Sequence, residues 1–165
     1  MSKTLLLNMI VKNEFNGGQL KRCFDSIHPY IDYWVICDTG STDGTQQFIK
    51  DYFAEKNIPG ELIEHSWKSF GYNRTYAIQM AKNKADYILL CDADMELVVK
   101  SGHEDFKQHL MADMYTVMQG QHLVYPNVRL AKGDLDFTYE QPTHEYLDCK
   151  KPGHIREHLD TIRFN

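Results

Sequence analysis

Long apolar runs are missing from this chain: no stretch of its 165 residues approaches the ~20 apolar positions that a membrane helix needs. Met1 to Val11 is apolar apart from Ser2, Lys3, Thr4 and Asn8, and no small-residue cleavage site follows it, so no secretory signal is expected. Paired cysteine motifs are missing too. Cys23, Cys37, Cys91 and Cys149 have no CxxC spacing and sit mostly among apolar neighbours, as free and mainly buried thiols of a reducing compartment would. The cytosol, and so a cytoplasmic protein, is the default expectation. Positive charge is scarce: 18 Lys and Arg against 23 Asp and Glu leave a formal net charge of −5, without the basic footprint that general nucleic-acid contact needs. Gly40 and Gly44 fit the spacing of neither a P-loop nor a G-x-G-x-x-G dinucleotide site, and Asp148 stands where an HExxH zinc helix starting at His144 would place its second His. No repeat, low-complexity tract or Pro/Ser linker interrupts the chain. A single domain over residues 1–165 is the economical reading, and the unfinished pattern after Pro152 suits the leading part of a longer protein.

What is present is an alternation of strands and helices. Thr4 to Val11, Tyr33 to Cys37, Glu61 to His65 and the run from Tyr87 to Cys91 read as strands. Between them, helical spacing appears at Leu20, Cys23, Phe24 and Ile27, again at Phe48, Ile49, Tyr52 and Phe53, and over Gly71 to Ala81 with Tyr72, Tyr76 and Met80 on one side. Such a series implies an α/β fold with a parallel sheet and right-handed crossovers. Past Glu96 the spacing predicts a helix over Ser101 to Met111 and strands over Met114 to Gln119 and His122 to Leu130. Short strands at Phe137 to Tyr139 and Glu145 to Leu147 are expected to extend the sheet and cover one side of a pocket.

The conspicuous polar residues of the first half all fall at one edge of that sheet. Asn13 and Glu14 follow the first strand, Asp38 closes the second, Asn73 and Arg74 follow the third, and Asp92 and Asp94 close the fourth. Ligands of open α/β sheets bind outside the carboxyl ends of the strands. Two carboxylates at i and i+2 can share a divalent cation that bridges substrate phosphates, or can simply open a turn. Asp38 is either a turn former or an acceptor for a base N–H or ribose hydroxyl, and Asp43 either a helix cap or a ligand contact. Arg74 lies near a helix start, where the macrodipole does not favour a cation, so a phosphate partner is worth weighing.

Met9-Ile10-Val11-Lys12-Asn13-Glu14, Asp38-Thr39-Gly40-Ser41-Thr42-Asp43-Gly44-Thr45, Asn73-Arg74 and Asp92-Ala93-Asp94 occur in the order and spacing of the family 2 glycosyltransferases. The chain resembles a subgroup with that signature, often followed by helical repeats, from Leu5 to about Leu147. The resemblance implies a GT-A fold, a Rossmann-like mainly parallel sheet flanked by helices. It also implies a nucleotide-sugar donor, most often a UDP-sugar, with Mn²⁺ or Mg²⁺ and inversion at the anomeric carbon. By that likeness Val11, Asn13, Glu14 and Asp38 hold base and ribose. Arg74 approaches the diphosphate, and Asp92 and Asp94 bind ribose and metal. Asp43, Asn73 and Ala93 belong to the same donor site. The residue after the D-A-D, usually acidic, is here Met95, with Glu96 behind it.

Pro142-Thr143-His144-Glu145 resembles the "H-E" segment late in the same subgroup, which makes His144 a further candidate metal or diphosphate ligand. An inverting displacement needs a base on the acceptor side. Glu145 is the candidate, Glu140 and Asp136 the alternatives, with Asp94 essential through the metal. His154 and His158 stand at i,i+4, either a metal pair on a helix or an exposed tail helix. Trp67, Tyr72 and Tyr125 could stack on a base or sugar, with core packing the commoner role of such aromatics. Two other functions share this chemistry: a metal-dependent nucleotidyltransferase, and a non-catalytic sugar-nucleotide-binding module. The acceptor, whether glycan, protein or lipid, is not specified by these motifs.

Overall fold

The computed structural model describes residues 2–140 and 145–165. Four strands, β1 (Leu5–Val11), β2 (Tyr33–Asp38), β3 (Gly60–Glu64) and β4 (Tyr87–Leu90), alternate with three helices, α1 (Gln19–Ile27), α2 (Thr45–Glu55) and α3 (Phe70–Ala81). After them come β5 (Leu97–Val99), a single 3₁₀ turn at Phe106–His109, β6 (Met114–Gln119), β7 (Tyr125–Lys132), β8 (Phe137–Glu140), β9 (Tyr146–Cys149) and β10 (Arg156–Phe164). Eight strands form one sheet in the order β3-β2-β1-β4-β7-β6-β10-β5. β3, β2, β1 and β4 run parallel, and the β6–β10 pair is parallel too, so the expected mainly parallel α/β sheet is present. β7 pairs antiparallel with both β4 and β6. Among the described residues no helix is long and apolar enough to cross a membrane.

The continuous apolar character of β1 follows from burial on both faces. Leu5, Leu7, Met9 and Val11 pack with the buried stripes of α1 and α2, including Phe24, Ile27, Ile49 and Phe53. Leu6, Val35, Ile88 and Leu90 face the other way, toward Ile78 and Ala81 of α3 and the β8–β9 hairpin. Asn8, the one polar residue inside β1, lies on that second face. Its Nδ2 donates to the carbonyls of Val35 and Ala77, 3.0 Å each, tying β1 and β2 to α3. Gly60 opens β3 where a Cβ would come within 2.3 Å of the Trp34 ring, so no larger residue fits there without movement.

Several expectations about the second half are corrected. Ser101 to Met111 is not a helix: Gly102 takes φ +83°, and Phe106 and Leu110 are its only core residues, too few to support more than one 3₁₀ turn. β8 and β9 do not extend the large sheet but pair with each other and lean on α3. The helix expected over Gly71 to Ala81 is present as α3, which buries Asn73, Ala77, Ile78 and Ala81 between the sheet and that hairpin and leaves Tyr72 exposed. The tail is the strand β10. His154 lies in the turn before β10, its Nδ1 3.2 Å from the Lys151 carbonyl, so His154 and His158 share no helix and form no helical metal pair. His158 Nδ1 instead meets Thr116 Oγ1 at 2.9 Å. All four cysteines are buried and free, as expected.

The tether at Asn8 can be measured. Replacing Asn8 by Ala leaves the Ala77 carbonyl without its bond from the sheet and opens a small void, so urea unfolding should show a loss of about 1–3 kcal/mol. An unchanged midpoint would remove the tether from the account of the fold.

Candidate active site

The parallel strands bring four loops together at their carboxyl ends, and two of these loops lock onto each other. Asn13 takes a left-handed φ of +53°, which Asn tolerates better than most residues. Its N–H donates to Ser41 Oγ at 2.8 Å and its Oδ1 accepts from the Thr42 N–H at 2.8 Å. The Glu14 N–H donates to Thr45 Oγ1, and the Phe15 N–H to Asp43 Oδ2. Asp43 Oδ1 also accepts from the Thr45 N–H and hydroxyl. Asp43, one residue before the N-cap Gly44, thus joins the first residue of α2 to the loop after β1.

Asp38 ends β2 beside Val11 and is almost wholly buried. Its Oδ1 accepts from the N–H groups of Gly40 and Ser41 and from Gln46 Nε2. Its Oδ2 is buried with no partner among the described residues. A buried acceptor left open in this way calls for a ligand or water. Alongside it, Val11, Thr39, Glu14, Trp67 and Phe70 line a cavity of about 270 Å³. Trp67 and Phe70 meet edge to face with centroids 4.8 Å apart and are 44% and 57% exposed. Trp67, Tyr72 and Tyr125 therefore do not pack in the core; all three lie at the surface. Phe70, which carried no sequence signal, stands with Trp67 at this cavity.

The centre of the edge is a charge cluster on Asp92. Arg74, in the second turn of α3, places one Nη on Asp92 Oδ1 at 2.9 Å, its guanidinium lying 5.6 Å from the Phe70 ring centroid and 5.9 Å from that of Tyr139. From β7, Arg129 reaches Asp92 Oδ2 at 3.4 Å, while its Nε donates to Gln119 Oε1 at 2.6 Å. Arg129 has a side chain only 7% exposed and was absent from the sequence reading. The only available clue was a charged residue inside the strand Val128-Arg129-Leu130. Two cations on one carboxylate leave local positive charge in a half-buried place, which favours an anionic guest.

Asp94, one turn further on, is exposed, and no side-chain bond engages its carboxylate among the described residues. It lines a second cavity of about 250 Å³ with Glu14, Phe70, Arg74, Asp92 and Ala93. The Glu14 carboxyl is held above its ordinary range by burial first, then by the charges of Asp94 and Asp43. Asn73 is directed elsewhere: 1% exposed, its Oδ1 accepts from the Lys68 and Ser69 N–H groups and its Nδ2 donates to the Ser66 carbonyl. It shapes the loop before α3, which Ser69 caps through the Tyr72 N–H.

Glu145 is half-buried at the start of α3, where a Cβ on Gly71 would come within 3.2 Å of its Oε1. Its charge is felt at Tyr139 along with those of Arg74 and Asp92. The two alternatives for a base fare worse. Asp136 is ion-paired with Lys82 at 2.6 Å, at the far end of α3. Glu140 bonds Thr138 Oγ1 and Lys150 Nζ, contacts that hold its carboxyl below the ordinary range and weaken it as a base. His144 lies outside the described residues.

No group of three or more His, Cys, Asp or Glu that could hold a metal occurs among the described residues. Asp92 is already engaged by two guanidiniums, so Asp94, with Glu14 across the same cavity, is the open hard-oxygen donor nearest the cluster. One protein carboxylate with phosphate and water oxygens is a usual environment for Mg²⁺, and oxygen donors also suit Mn²⁺. The site fits a cation that arrives with a phosphorylated ligand.

A Rossmann-like sheet whose carboxyl edge carries paired guanidiniums, an open carboxylate and an aromatic cavity is of the GT-A class. The chain belongs to glycosyl transferase family 2, whose model matches residues 8–161. A TPR repeat-containing protein of Synechococcus elongatus is 31% identical over 150 residues, covering 86% of this chain and 35% of that protein. The chain thus spans about a third of that relative's length. Among solved structures, TarS of S. aureus (residues 1–349) superposes with a TM-score of 0.56 at 17% identity, over 73% of this chain and 38% of that one. A mannosyltransferase of Pyrobaculum calidifontis, in complex with GDP-Man and Mn²⁺, gives 0.57 at 15%, over 73% and 36%. GalNAc-T7 with UDP, GalNAc and Mn²⁺ gives 0.53 at 13%, over 92% and 30%. At these identities the structural likeness speaks for the fold.

Titration tests the proximity of the two free carboxylates. Replacing Asp94 by Asn removes a negative neighbour, so the raised pKa of Glu14 should fall toward its ordinary value in a carbon-detected NMR titration. No movement of the Glu14 midpoint would mean that the loops after β1 and β4 do not meet as described.

Proposed function

We propose that this chain is the donor-binding and catalytic domain of a metal-dependent inverting glycosyltransferase that uses a nucleotide-diphospho-sugar, most simply a UDP-sugar. The observation that carries this reading is the convergence of Arg74 and Arg129 on Asp92 beside an open Asp94. It forms a cationic patch next to the free carboxylates of Asp94 and Glu14, suited to a diphosphate that brings a cation. On this reading Trp67, Phe70 and Val11 flank the base, and the open Oδ2 of Asp38 accepts from a base N–H or ribose hydroxyl. Asn13 and Asp43 keep the surrounding loops in register, and Glu14 and Ala93 wall the ribose–diphosphate channel. Asp94 would hold Mn²⁺ or Mg²⁺, with His144 and Asp92 as further candidates from the family likeness. Such a cation would neutralise charge on the departing diphosphate.

In the reaction the acceptor's nucleophile forms a bond to the anomeric carbon as the bond from that carbon to the diphosphate oxygen breaks. The nucleophile enters opposite the leaving group, which inverts the centre, and its proton passes to a carboxylate. Glu145 is the proposed base. Arg74 and Arg129 stabilise the developing negative charge. The relatives in complex with UDP or GDP-Man and Mn²⁺ support the donor class. The acceptor would be a glycan, protein or lipid, with no nucleic acid partner. Four buried thiols, with Cys23 and Cys91 Sγ in hydrogen-bond contact at 3.6 Å, suit a reducing compartment, and the cytosol is the proposed one.

Replacing Asp94 by Ala should cut metal-dependent turnover at least ~100-fold, the scale expected for losing an electrostatic catalytic element, while circular dichroism and melting stay near wild type. Free nucleoside diphosphate should be the released product. Release of pyrophosphate would instead identify a nucleotidyltransferase, and tight donor binding without hydrolysis or transfer a binding module. Undiminished transfer by the variant would defeat the metal assignment.

A further inference from the structure

The loop after β1 carries Asn16-Gly17, the one Asn-Gly step in the sequence. An Asn side chain and the next backbone nitrogen can close a five-membered ring. Glycine favours that closure because it has no Cβ to shield its N–H and reaches conformations closed to other residues. Asn16 and Gly17 form an exposed turn, and Gly17 takes φ +93° with nothing within 4 Å of the place a Cβ would occupy. Among the described residues neither the Asn16 amide nor the Gly17 N–H makes a hydrogen bond, although their neighbours Asn13, Glu14 and Phe15 all do. From these observations we propose that Asn16 is a site of spontaneous covalent modification, at which the folded chain exchanges the side-chain amide for isoaspartate and aspartate.

The only co-reactant is water. The Gly17 nitrogen gives its proton to solvent and forms a bond to Asn16 Cγ. The Cγ–Nδ2 bond breaks, and ammonia leaves with a proton taken from water, so a succinimide remains. Water then opens the ring. Opening at Cγ gives aspartate, and opening at the main-chain carbonyl gives isoaspartate, whose backbone runs through Cβ and Cγ and is one carbon longer. Asp43-Gly44 is the comparable acidic step, and Gly44 has the same φ of +93°. There the side chain is tied: Oδ1 accepts from the Thr45 N–H and hydroxyl, and Oδ2 from the Phe15 N–H. The Thr45 hydroxyl bond, first among its contacts, also holds that carboxyl below its ordinary range, and a carboxylate is a poorer electrophile than an amide. Asn16 has no such restraint.

The modified residue stands between two anchors. On one side the Phe15 N–H donates to Asp43 Oδ2 at 3.2 Å, and the Phe15 ring meets Phe48 edge to face with centroids 5.8 Å apart. On the other side α1 begins, its first turn closed by the Arg22 N–H on the Gly18 carbonyl at 3.1 Å. A main chain one carbon longer between these anchors displaces Phe15 from Asp43 and Phe48. Isoaspartate at residue 16 therefore loosens the clamp between the loops after β1 and β2. Aspartate, with the normal backbone, adds charge and leaves the clamp in place.

Peptide mapping by mass spectrometry reads the conversion on the whole chain, aged in mildly alkaline buffer beside an Asn16→Gln variant. Wild type should lose the Asn16 amide before any other asparagine does and become a substrate for an isoaspartyl methyltransferase. Asn16→Gln, whose longer side chain would have to close a six-membered ring, should show neither change, and Asp43 should stay unmodified in both. Retention of the Asn16 amide by the folded chain, under conditions in which a synthetic peptide of residues 13–20 loses it, would overturn the proposal. So would equal isoaspartate formation in wild type and Asn16→Gln. An encoded Asn16→Asp chain separates charge from backbone length. Aged wild type should melt below that variant and exchange its Phe15 amide hydrogen faster, whereas equal melting and equal exchange would overturn the loosening of the clamp.

Discussion

A single carboxylate, Asp92, is held from two sides by Arg74 of α3 and Arg129 of β7. The three residues belong to elements on both sides of β4, and Tyr139 of β8 lies against the same cluster. Arg129 is nearly buried, so its charge needs a partner. Asp92 and the Gln119 amide supply one, and the arginine in turn ties β7 to the loop after its antiparallel neighbour β4. Arg74 is steadied by the rings of Phe70 and Tyr139. Removing Asp92 would leave two guanidiniums facing each other in a partly dry space, a costlier change than losing one surface ion pair. The position of the site and the seam between the parallel and antiparallel halves of the sheet therefore depend on the same contact.

Around that contact the chain separates two tasks. The strands are apolar because both faces are covered, and their polar exceptions are tethers such as Asn8. The loops carry the polar residues, and much of that polarity holds the loops themselves. Asn13, Ser41, Asp43 and Thr45 bond one another, so the loop after β1 and the loop after β2 behave as one surface. Of the residues expected at the donor, Asn73 and Asp43 belong to this supporting group. Among the described residues, what faces the cavities is a short set: Asp94, Glu14, Arg74 and the aromatic pair at Trp67 and Phe70, with Arg129 and the unpartnered Oδ2 of Asp38 buried behind them.

The first four strands and three helices were legible because parallel α/β units announce themselves through apolar runs broken by helical spacing. The meeting of Arg74, Asp92 and Asp94 at the edge that also holds the end of β2 with Asp38 was legible for the same reason: in such sheets the carboxyl ends share one edge. Arg129 was hidden because its role depends on β7 pairing antiparallel with β4, a long-range choice that no local pattern encodes. Residues 101–111 read as a helix through their spacing, although only Phe106 and Leu110 reach the core. The tail shows no alternation that distinguishes a strand, because β10 lies exposed along most of its length and gains its place from β6 and β5. Trp67 and Tyr125 read as core residues from composition alone, yet both line cavities at the sheet edge.

The open groups have opposite signs on their two sides. Arg74 and Arg129 supply positive charge, while Asp94, Glu14 and Asp43 lie close enough together that burial and mutual repulsion raise Glu14. A bare diphosphate would be drawn to the first pole and repelled by the second. A bare divalent cation would meet the converse, with too few carboxylates to hold it tightly. Bound together, each ligand offsets the repulsion that the other meets, so their affinities must rise reciprocally. On the proposed reading, weak retention of metal by the empty site and strong retention with the donor present are two expressions of one electrostatic arrangement. The acidic loop after β1 is then part of the selectivity for a cation–diphosphate pair over a simple phosphate anion.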